Sequence, residues 1–269
     1  MTTETKFLTR PDGRIAYDVT GAGPLVVCVP GMGVPRTTFR EFADALAKAG
    51  NRVATMDIRG HGDSDTTFHA YDDPAAGADA LALIEALGEP AAIVGNSMGA
   101  AAGVWAATQR PDLVRGLVLV GPFVRDPHTG AKAALMGAMF RAMLARPWGP
   151  AVWRGYLSKL FPGRREADFQ RFRERVVDAL RAPGRWRAFC ATARTSHAGI
   201  APLVARVTAP TLVVMGTADP DFPDPAAEAR WVADTLHGRV EMIEAAGHYP
   251  HVEFPERTVP AVAAFLGEH

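Results

Sequence analysis

Cysteine is scarce in this sequence. The chain contains only two, Cys28 and Cys190, and no cysteine or histidine pair has the close spacing that is typical of a structural zinc site. Two cysteines also cannot build the disulfide framework that stabilises many small secreted domains. We therefore expect a reduced, cytoplasmic protein that holds no metal ion and no cofactor.

Long apolar runs and an excess of one charge are also missing. No run approaches the roughly 18 apolar residues of a membrane-spanning helix, and residues 1–10 lack the apolar segment of a secretory signal. The 29 basic residues are balanced by 29 acidic ones, whereas a nucleic-acid-binding protein normally carries a basic excess. These absences predict neither a membrane span nor a nucleic-acid partner.

What the 269 residues do contain is an alternation of two patterns. Short valine-rich runs closed by glycine or proline are typical of strands buried on both faces, and helix-like segments separate them. Alternating strands and helices predict an α/β fold with a mostly parallel sheet covered on both sides. The predicted strands are residues 5–9, 14–19, 25–29, 91–94, 117–120, 211–215 and 238–244, and the predicted helices are 37–49, 74–87, 98–109, 225–236 and 255–266.

This alternation stops in residues 125–206, which have helical periodicity and no convincing strand. The segment contains 14 arginines and 2 lysines but only 5 acidic residues, so the rest of the chain carries the compensating negative charge. We interpret residues 125–206 as a helical cap inserted between core segments 1–124 and 207–269. The opposite charges either help the cap to dock on the core or attract an anionic substrate or an acidic carrier partner.

The strongest chemical signal is at residues 95–99, which read Gly-Asn-Ser-Met-Gly. They lie between a predicted strand and a predicted helix, where a sharp turn would force Ser97 into a strained conformation and require small neighbours. The serine hydroxyl would then be exposed at a helix N-terminus, beside outward-pointing N–H groups. Only four serines occur in the chain, so this placement favours a nucleophile over an incidental serine in a turn.

With this motif the sequence resembles the α/β-hydrolase superfamily, in particular its lidded esterase-like members. The resemblance covers nearly the whole chain outside residues 125–206. It implies a mostly parallel eight-stranded sheet with helices on both faces and an inserted helical cap. It also implies that the nucleophile, an acid and a histidine follow one another in that order along the chain.

The resemblance places the acid after a late strand, three residues beyond a glycine. Asp219 fits this position, because residues 211–215 form a predicted strand that ends at Gly216. Asp221 and Asp224 lie nearby, and Asp126 follows the earlier strand where some relatives carry their acid. Asp219 could also be a simple turn former, since Asp-Pro is a common turn pair.

The resemblance places the histidine in the last loop, where His248 follows Gly247. His251 is a local competitor, and His61 belongs to a turn that is usually structural in the family. An imidazole can take the proton of a serine hydroxyl and later return it to the leaving group. A buried carboxylate on the far ring nitrogen fixes the tautomer and stabilises the imidazolium.

Negative charge that develops on a carbonyl oxygen needs hydrogen-bond donors. One candidate is the backbone N–H of Met98, directly after Ser97, and by resemblance the second is the N–H of Met32. Each donor of this kind contributes on the order of 3 kcal/mol of transition-state stabilisation. The family usually has histidine where Pro30 stands, so a side-chain hydrogen bond that anchors this loop is missing here.

The predicted cap is rich in aromatic residues, which suggests an apolar cavity above Ser97. Most of these rings are expected to form the interior of the cap. The residues proposed to contact substrate are Gly31, Trp148, Trp153, Trp186 and Tyr249.

The sequence thus favours a serine hydrolase that cleaves a small hydrophobic ester, lactone or thioester through an acyl-enzyme. The Asn-Ser-Met centre of the motif is also similar to that of hydrolases that cleave carbon–carbon bonds in β-diketones or vinylogous diketones. A ligand receptor that keeps these residues but turns over little is a third possibility. An aspartate-based epoxide hydrolase or dehalogenase is disfavoured because serine stands at the nucleophile position. The sequence does not decide between a monomer and a homodimer.

Overall fold

The computed structural model describes residues 4–126, 130–163 and 166–269. Residues 1–3, at the N-terminus, and 127–129 and 164–165, in the predicted cap, lie outside the described part. The strands are β1 (Lys6–Arg10), β2 (Gly13–Gly21), β3 (Leu25–Val29), β4 (Arg52–Met56), β5 (Ala91–Asn96), β6 (Val114–Val120), β7 (Thr211–Gly216) and β8 (Arg239–Ile243).

The five helices predicted individually outside residues 125–206 are present, with boundaries that differ by up to a few residues, and the predicted helical character of residues 125–206 is also observed. The helices are α1 (Arg40–Lys48), α2 (Asp73–Leu87), α3 (Met98–Gln109), α4 (Gly130–Met143), α5 (Gly149–Leu160), α6 (Glu166–Ala179), α7 (Arg185–Thr192), α8 (Ala201–Val204), α9 (Pro225–Leu236), α10 (Pro250–Glu253) and α11 (Pro255–Gly267). Short 3₁₀ turns occupy Arg36–Phe39 and His197–Gly199. No helix in the part of the chain described here is both long and apolar enough to cross a bilayer.

The eight strands form one sheet in the order β1-β2-β4-β3-β5-β6-β7-β8. The hairpin β1–β2 and the β2–β4 pair are antiparallel, and all the other pairs are parallel. The predicted α/β fold with a mostly parallel eight-stranded sheet is therefore confirmed. Strand β4 is the one strand that the run-by-run reading of the sequence missed.

Successive residues of the central strands point to opposite faces of the sheet. In β3, Leu25, Val27 and Val29 pack in one core cluster, whereas Val26 and Cys28 pack in the other. Helices α2, α3 and α9 contribute to the first cluster, and α1 and α11 contribute to the second. Burial on both faces explains why these strands read as continuous apolar runs rather than as alternating patterns.

Helices α5, α6 and α7 supply most residues of a third hydrophobic cluster. Trp153, Leu157 and Phe189 are buried there, together with Val34 and Tyr249 from the sheet-bearing part of the chain. This separate cluster supports the proposed division into core and cap. Ile200 and Val204 lie within the range predicted as cap, but they pack in the first core cluster. The segment around α8 therefore packs with the core rather than with the other cap helices.

His251 is a polar residue that is buried in the hydrophobic core. It is 1% exposed, its ring stacks on Phe39 with centroids 4.3 Å apart, and neither ring nitrogen has a hydrogen-bond partner among the described residues. Burial, assisted by the charge of His248, lowers the pKa of His251 from 6.5 to about 3. The folded protein therefore holds this imidazole neutral at pH values at which the unfolded chain would protonate it.

We expect His251→Phe to raise the melting temperature, because it removes two buried unpaired polar atoms that cost about 1–3 kcal/mol each and keeps the stacking on Phe39. The gain should be larger at about pH 5 than at about pH 8. The unfolded wild type binds a proton at His251 below about pH 6.5 that the folded state does not bind, so its stability falls as the pH falls. Thermal denaturation at the two pH values measures both effects.

The matched control is His69→Phe, because His69 is exposed. It should show no comparable pH-dependent gain. A His251→Phe variant that melts below the wild type at both pH values would show that the imidazole makes a stabilising interaction.

Candidate active site

Ser97 occupies a sharp turn between β5 and α3. Its backbone has φ 57° and ψ −119°, a combination that costs a non-glycine residue free energy and persists only where the surroundings enforce it. A Cβ on Gly95 would overlap the carbonyl oxygen of Gly99, and a Cβ on Gly99 would overlap that of Val29. Both glycines are therefore required by close backbone approach, as the sequence motif indicates.

The loop after β3 lies directly against this turn. A Cβ on Gly31 would come within 2.9 Å of the Ser97 Cβ, so glycine lets the loop that carries Met32 approach the serine. Met32 and Met98 line the same cavity as Ser97. Gly31 therefore lies beside Ser97, at a position where the close packing leaves no room for a side chain.

The same loop has an anchor that the sequence analysis did not identify. Arg36 is 4% exposed and pairs with Asp57, with Asp18 at 2.8 Å and with Asp63 at 2.8 Å. Its backbone N–H also donates to Asp57 Oδ1 at 2.6 Å. This ion cluster, in which Arg36 and Asp57 are buried, holds the end of the loop to the strand that precedes Asp57.

His248 and Asp219 form a buried pair on the other side of the cavity. The distance from His248 Nδ1 to Asp219 Oδ2 is 2.8 Å, and each residue is 2% exposed. The backbone N–H of His248 donates to Leu160 O at 2.9 Å, and Asn96 Nδ2 donates to His248 O at 3.1 Å. The residue before Ser97 thus braces the loop that carries His248.

A second carboxylate lies close to the same imidazole. Asp221 Oδ2 is 3.7 Å from His248 Nδ1, and Asp221 accepts a hydrogen bond from the Tyr156 hydroxyl of α5. Burial by itself lowers the pKa of His248, but the charges of Asp219 and Asp221 outweigh it and raise the pKa to about 9. Burial raises the pKa of Asp221, and the imidazolium and the Tyr156 hydroxyl oppose that rise.

The same three side chains are also of the types that bind metal ions. The ligand atoms of Asp219, Asp221 and His248 lie within 4.8 Å of one another and could hold a cation. However, the 2.8 Å separation of His248 Nδ1 from Asp219 is that of a hydrogen bond. The arrangement fits a proton between the two groups, and the expectation that no metal is bound stays a prediction.

The competing acids and bases lie elsewhere. Asp126 accepts hydrogen bonds from Ser196 Oγ and from the backbone N–H of His197, and Asp224 caps α9 by accepting from Ala227. His61 is buried with its Nδ1 at 2.9 Å from Arg59 O, and burial lowers its pKa to about 4. His251 is stacked on Phe39 in the core.

Ser97 and His248 line a common cavity of about 210 Å³. Of the residues proposed to contact substrate, Trp153 and Tyr249 line it. The other described lining residues are Met32, Met98, Phe123, Phe140, Tyr156, Leu160, Thr192, Ala193, Thr195, His197 and Asp221. A cavity of this size, lined mainly by apolar side chains, fits a small organic molecule.

Two of the proposed contacts are placed differently from the expectation. Trp148 is 53% exposed, and its indole N–H donates to Ala142 O. Trp186 is buried in the cap cluster and borders a neighbouring cavity. Neither belongs to the described lining of the Ser97 cavity, since Trp148 is largely exposed to solvent and Trp186 is used for the interior of the cap.

Several residues that line the cavity were not predicted from the sequence, for different reasons. Phe123 follows the carboxyl end of β6, where parallel sheets place their ligand sites, so its position could have been used as a signal. His197 offered none, because it is a lone histidine in a short segment whose neighbours are decided only by the tertiary structure.

Comparison with known proteins agrees with the observed fold. The sequence profile of the alpha/beta hydrolase family matches residues 26–261. A 2-(acetamidomethylene)succinate hydrolase from Mesorhizobium japonicum is 30% identical over 271 residues, which cover 94% of this chain and 92% of that protein. A crystal structure of a hydrolase from Pseudomonas aeruginosa superposes with a TM-score of 0.81, at 28% identity, over 99% of this chain and all of that one.

One further relative is much longer. The polyketide synthase ThaQ from Burkholderia thailandensis is 32% identical over 282 residues, which cover 98% of this chain but only 13% of that protein. The similarity therefore concerns one small part of a large protein.

We expect the pKa of His248 to fall from about 9 in the wild type to about 8 or below in Asp221→Asn, because the variant loses one of the two charges that stabilise the imidazolium. Titration of the imidazole proton by NMR, with the signal assigned through its loss in His248→Gln, measures this pKa. The control Asp224→Asn removes a carboxylate from the cap of α9 and should leave the pKa unchanged. Equal values in the wild type and Asp221→Asn would contradict the role of Asp221.

Proposed function

Because the chain belongs to the alpha/beta hydrolase family, we propose that it is a serine hydrolase that cleaves a carboxylic ester, a lactone or a thioester through an acyl-enzyme. The single observation that carries this proposal is that a strained Ser97 lines one cavity with His248, whose Nδ1 is paired with the buried Asp219. Ser97 is the nucleophile, His248 the base and Asp219 the acid of the proposed triad.

The first half of the reaction forms the acyl-enzyme. His248 Nε2 takes the proton of the Ser97 hydroxyl while Oγ attacks the substrate carbonyl carbon. The carbonyl oxygen becomes negatively charged and is stabilised by the N–H groups of Met32 and Met98. When the carbonyl re-forms, the bond to the leaving alkoxide or thiolate breaks, and the leaving group takes the proton from His248.

The second half repeats these steps with water. His248 takes a proton from water, the resulting hydroxide attacks the acyl carbon, and Ser97 leaves with the proton returned by the imidazole. Asp219 accepts the hydrogen bond from Nδ1 throughout, which fixes the tautomer and stabilises the imidazolium. No other group has to change its charge.

The cavity supports a small substrate with a hydrophobic acyl or alkyl group. Met32, Phe123, Trp153 and Leu160 present apolar surface around Ser97. The Mesorhizobium relative is named as a hydrolase of a succinate derivative, which fits a small acyl substrate. The match to one part of a polyketide synthase agrees with keeping thioesters among the candidates.

Cleavage of a carbon–carbon bond in a β-diketone remains the second candidate, because the same nucleophile and N–H donors could serve it. Asn96 is part of the motif that suggests this reaction, but its amide donates to Val120 O and His248 O. That bracing is needed for either bond, so Asn96 does not favour one. Cleavage of a vinylogous diketone without cleavage of esters would select the second candidate, and ligand-induced stabilisation without turnover would indicate a receptor.

We expect Ser97 to react with a fluorophosphonate probe, because an activated serine attacks phosphorus as it attacks a carbonyl carbon. Mass spectrometry of the labelled peptide should locate the adduct at Ser97, and Ser97→Ala should remain unlabelled. The same substitution should abolish release of p-nitrophenol from short acyl esters, a loss of several orders of magnitude. An unlabelled wild type, or adduct on another serine, would refute the assignment.

We expect Asp219→Asn to lower kcat on the order of 10⁴-fold, the size of effect known for the equivalent change in serine proteases. Asp221→Asn should lower it by less than about tenfold at alkaline pH, because Asp221 lies farther from Nδ1 and the neutral imidazole keeps its partner Asp219. Steady-state kinetics on one ester measure both variants. Equal losses, or the reverse order, would move the acid assignment to Asp221.

A further inference from the structure

The cavity contains a second imidazole with its own carboxylate. His197 lines the cavity that contains Ser97 and His248, and its Nδ1 lies 2.8 Å from Asp73 Oδ2. The proposed reaction uses neither residue. A second paired histidine in the same cavity therefore needs a role of its own.

Asp73 is held rigidly behind this ring. It is the first residue of α2, it is fully buried, and its Oδ1 has no hydrogen-bond partner among the described residues. Burial raises the pKa of the Asp73 carboxyl, and the hydrogen bond and charge of His197 oppose the rise. A buried carboxylate with a single partner is stabilised most when that partner is an imidazolium.

Further carboxylates lie around the His197–Asp73 pair. Its backbone N–H donates to Asp126 Oδ1 at 2.8 Å, and both Asp72 and Asp126 act on Asp73 through their charges. In the imidazolium both ring nitrogens are donors. Since Nδ1 is directed to Asp73, Nε2 is the donor that remains for the cavity.

Both imidazoles lie close to one aromatic ring. The Phe123 centroid is 5.8 Å from that of His197 and 5.7 Å from that of His248. The two imidazole centroids are therefore separated by no more than the sum of these distances. An acyl chain attached at Ser97 that runs along this apolar ring would therefore approach His197.

We propose that His197 is a substrate-binding residue that donates a hydrogen bond from Nε2 to a second oxygen of the substrate, a ketone or carboxylate oxygen several carbons from the carbonyl that reacts. Asp73 is the positioning residue that orients His197. This inference rests on the proposed function for the reacting end of the substrate, and it deepens that function by selecting keto-acyl or carboxy-acyl substrates over plain acyl chains.

The alternative is that the His197–Asp73 pair has only a structural role and holds the segment after α7 against α2. Loss of a structural contact would change the affinity for all substrates equally. Loss of a substrate-binding group would weaken only the binding of chains that carry the second oxygen. The discriminating quantity is therefore a ratio of affinities within one variant, and it does not depend on the absolute affinity or rate.

The test measures binding to Ser97→Ala, so that no turnover is needed. Isothermal titration calorimetry compares ethyl hexanoate with ethyl 4-oxohexanoate, ethyl 5-oxohexanoate and monoethyl adipate. We expect the best oxygen-bearing ester to bind about tenfold more tightly than ethyl hexanoate, the effect of about one charge-assisted hydrogen bond. Preference for a keto ester or for the half-ester identifies which of the two oxygens is selected.

In Ser97→Ala/His197→Phe this affinity ratio should fall to about one. His197→Gln, which keeps an N–H donor, should retain part of it, and Asp73→Asn should lower it because the charge that favours the imidazolium is lost. The control His69→Phe removes an exposed imidazole and should keep the full ratio. Melting temperatures of the variants establish that each is folded.

A ratio near one in Ser97→Ala itself, no detectable binding of any oxygen-bearing ester, or an equal loss for all four esters in His197→Phe would overturn the inference. Failure of the proposed function has a different signature, because the wild type would then release no product from any ester and Ser97 would not react with the probe. The binding ratio would remain readable in that case.

Discussion

The close approach of three backbone segments around Ser97 is the constraint on which the site depends. Strand β5 ends, turns and starts α3 within the space left by Gly95 and Gly99, while the carbonyl of Val29 at the end of β3 lies against Gly99. One Cβ at either glycine would separate these segments. The strain at Ser97 is maintained because the sheet register, with β3 beside β5, leaves the turn no other path.

Electrostatics gives this site its second defining feature. Asp219 is at hydrogen-bonding distance from His248, and Asp221 adds a second charge that Tyr156 of α5 contacts. Burial would otherwise make a neutral imidazole strongly favoured, as it does at His61 and His251. Equally buried histidines thus acquire opposite protonation tendencies, and the difference comes from whether a carboxylate shares the burial.

The helices between β6 and β7 contribute to the site in two ways. Trp153 closes the cavity with apolar surface, while Tyr156 reaches the second carboxylate. His197 joins the cavity to Asp73 of α2. Segments that are far apart in sequence therefore line one volume, which combines apolar surface with two imidazoles that are each paired with a carboxylate.

The sheet-and-helix alternation and the turn at Ser97 can be predicted from the sequence, and family resemblance indicates Asp219 and His248 as candidates. These features are readable because strands buried on both faces need continuous apolar runs, and because a tight turn admits only glycine at certain positions. Strand β4 was not predicted because Arg52 and Thr55 leave it no continuous apolar run. Its neighbours β2 and β3 supply the pairing that makes it a strand.

The contents of the cavity depend on the tertiary fold. Trp148 and Trp153 are close together in the sequence, yet one is exposed and the other lines the site. Arg36, Asp221 and His197 carry no local signal, since each acquires its role from a partner more than a few residues away. Local patterns encode backbone geometry, whereas the meeting of distant side chains depends on how the whole chain packs.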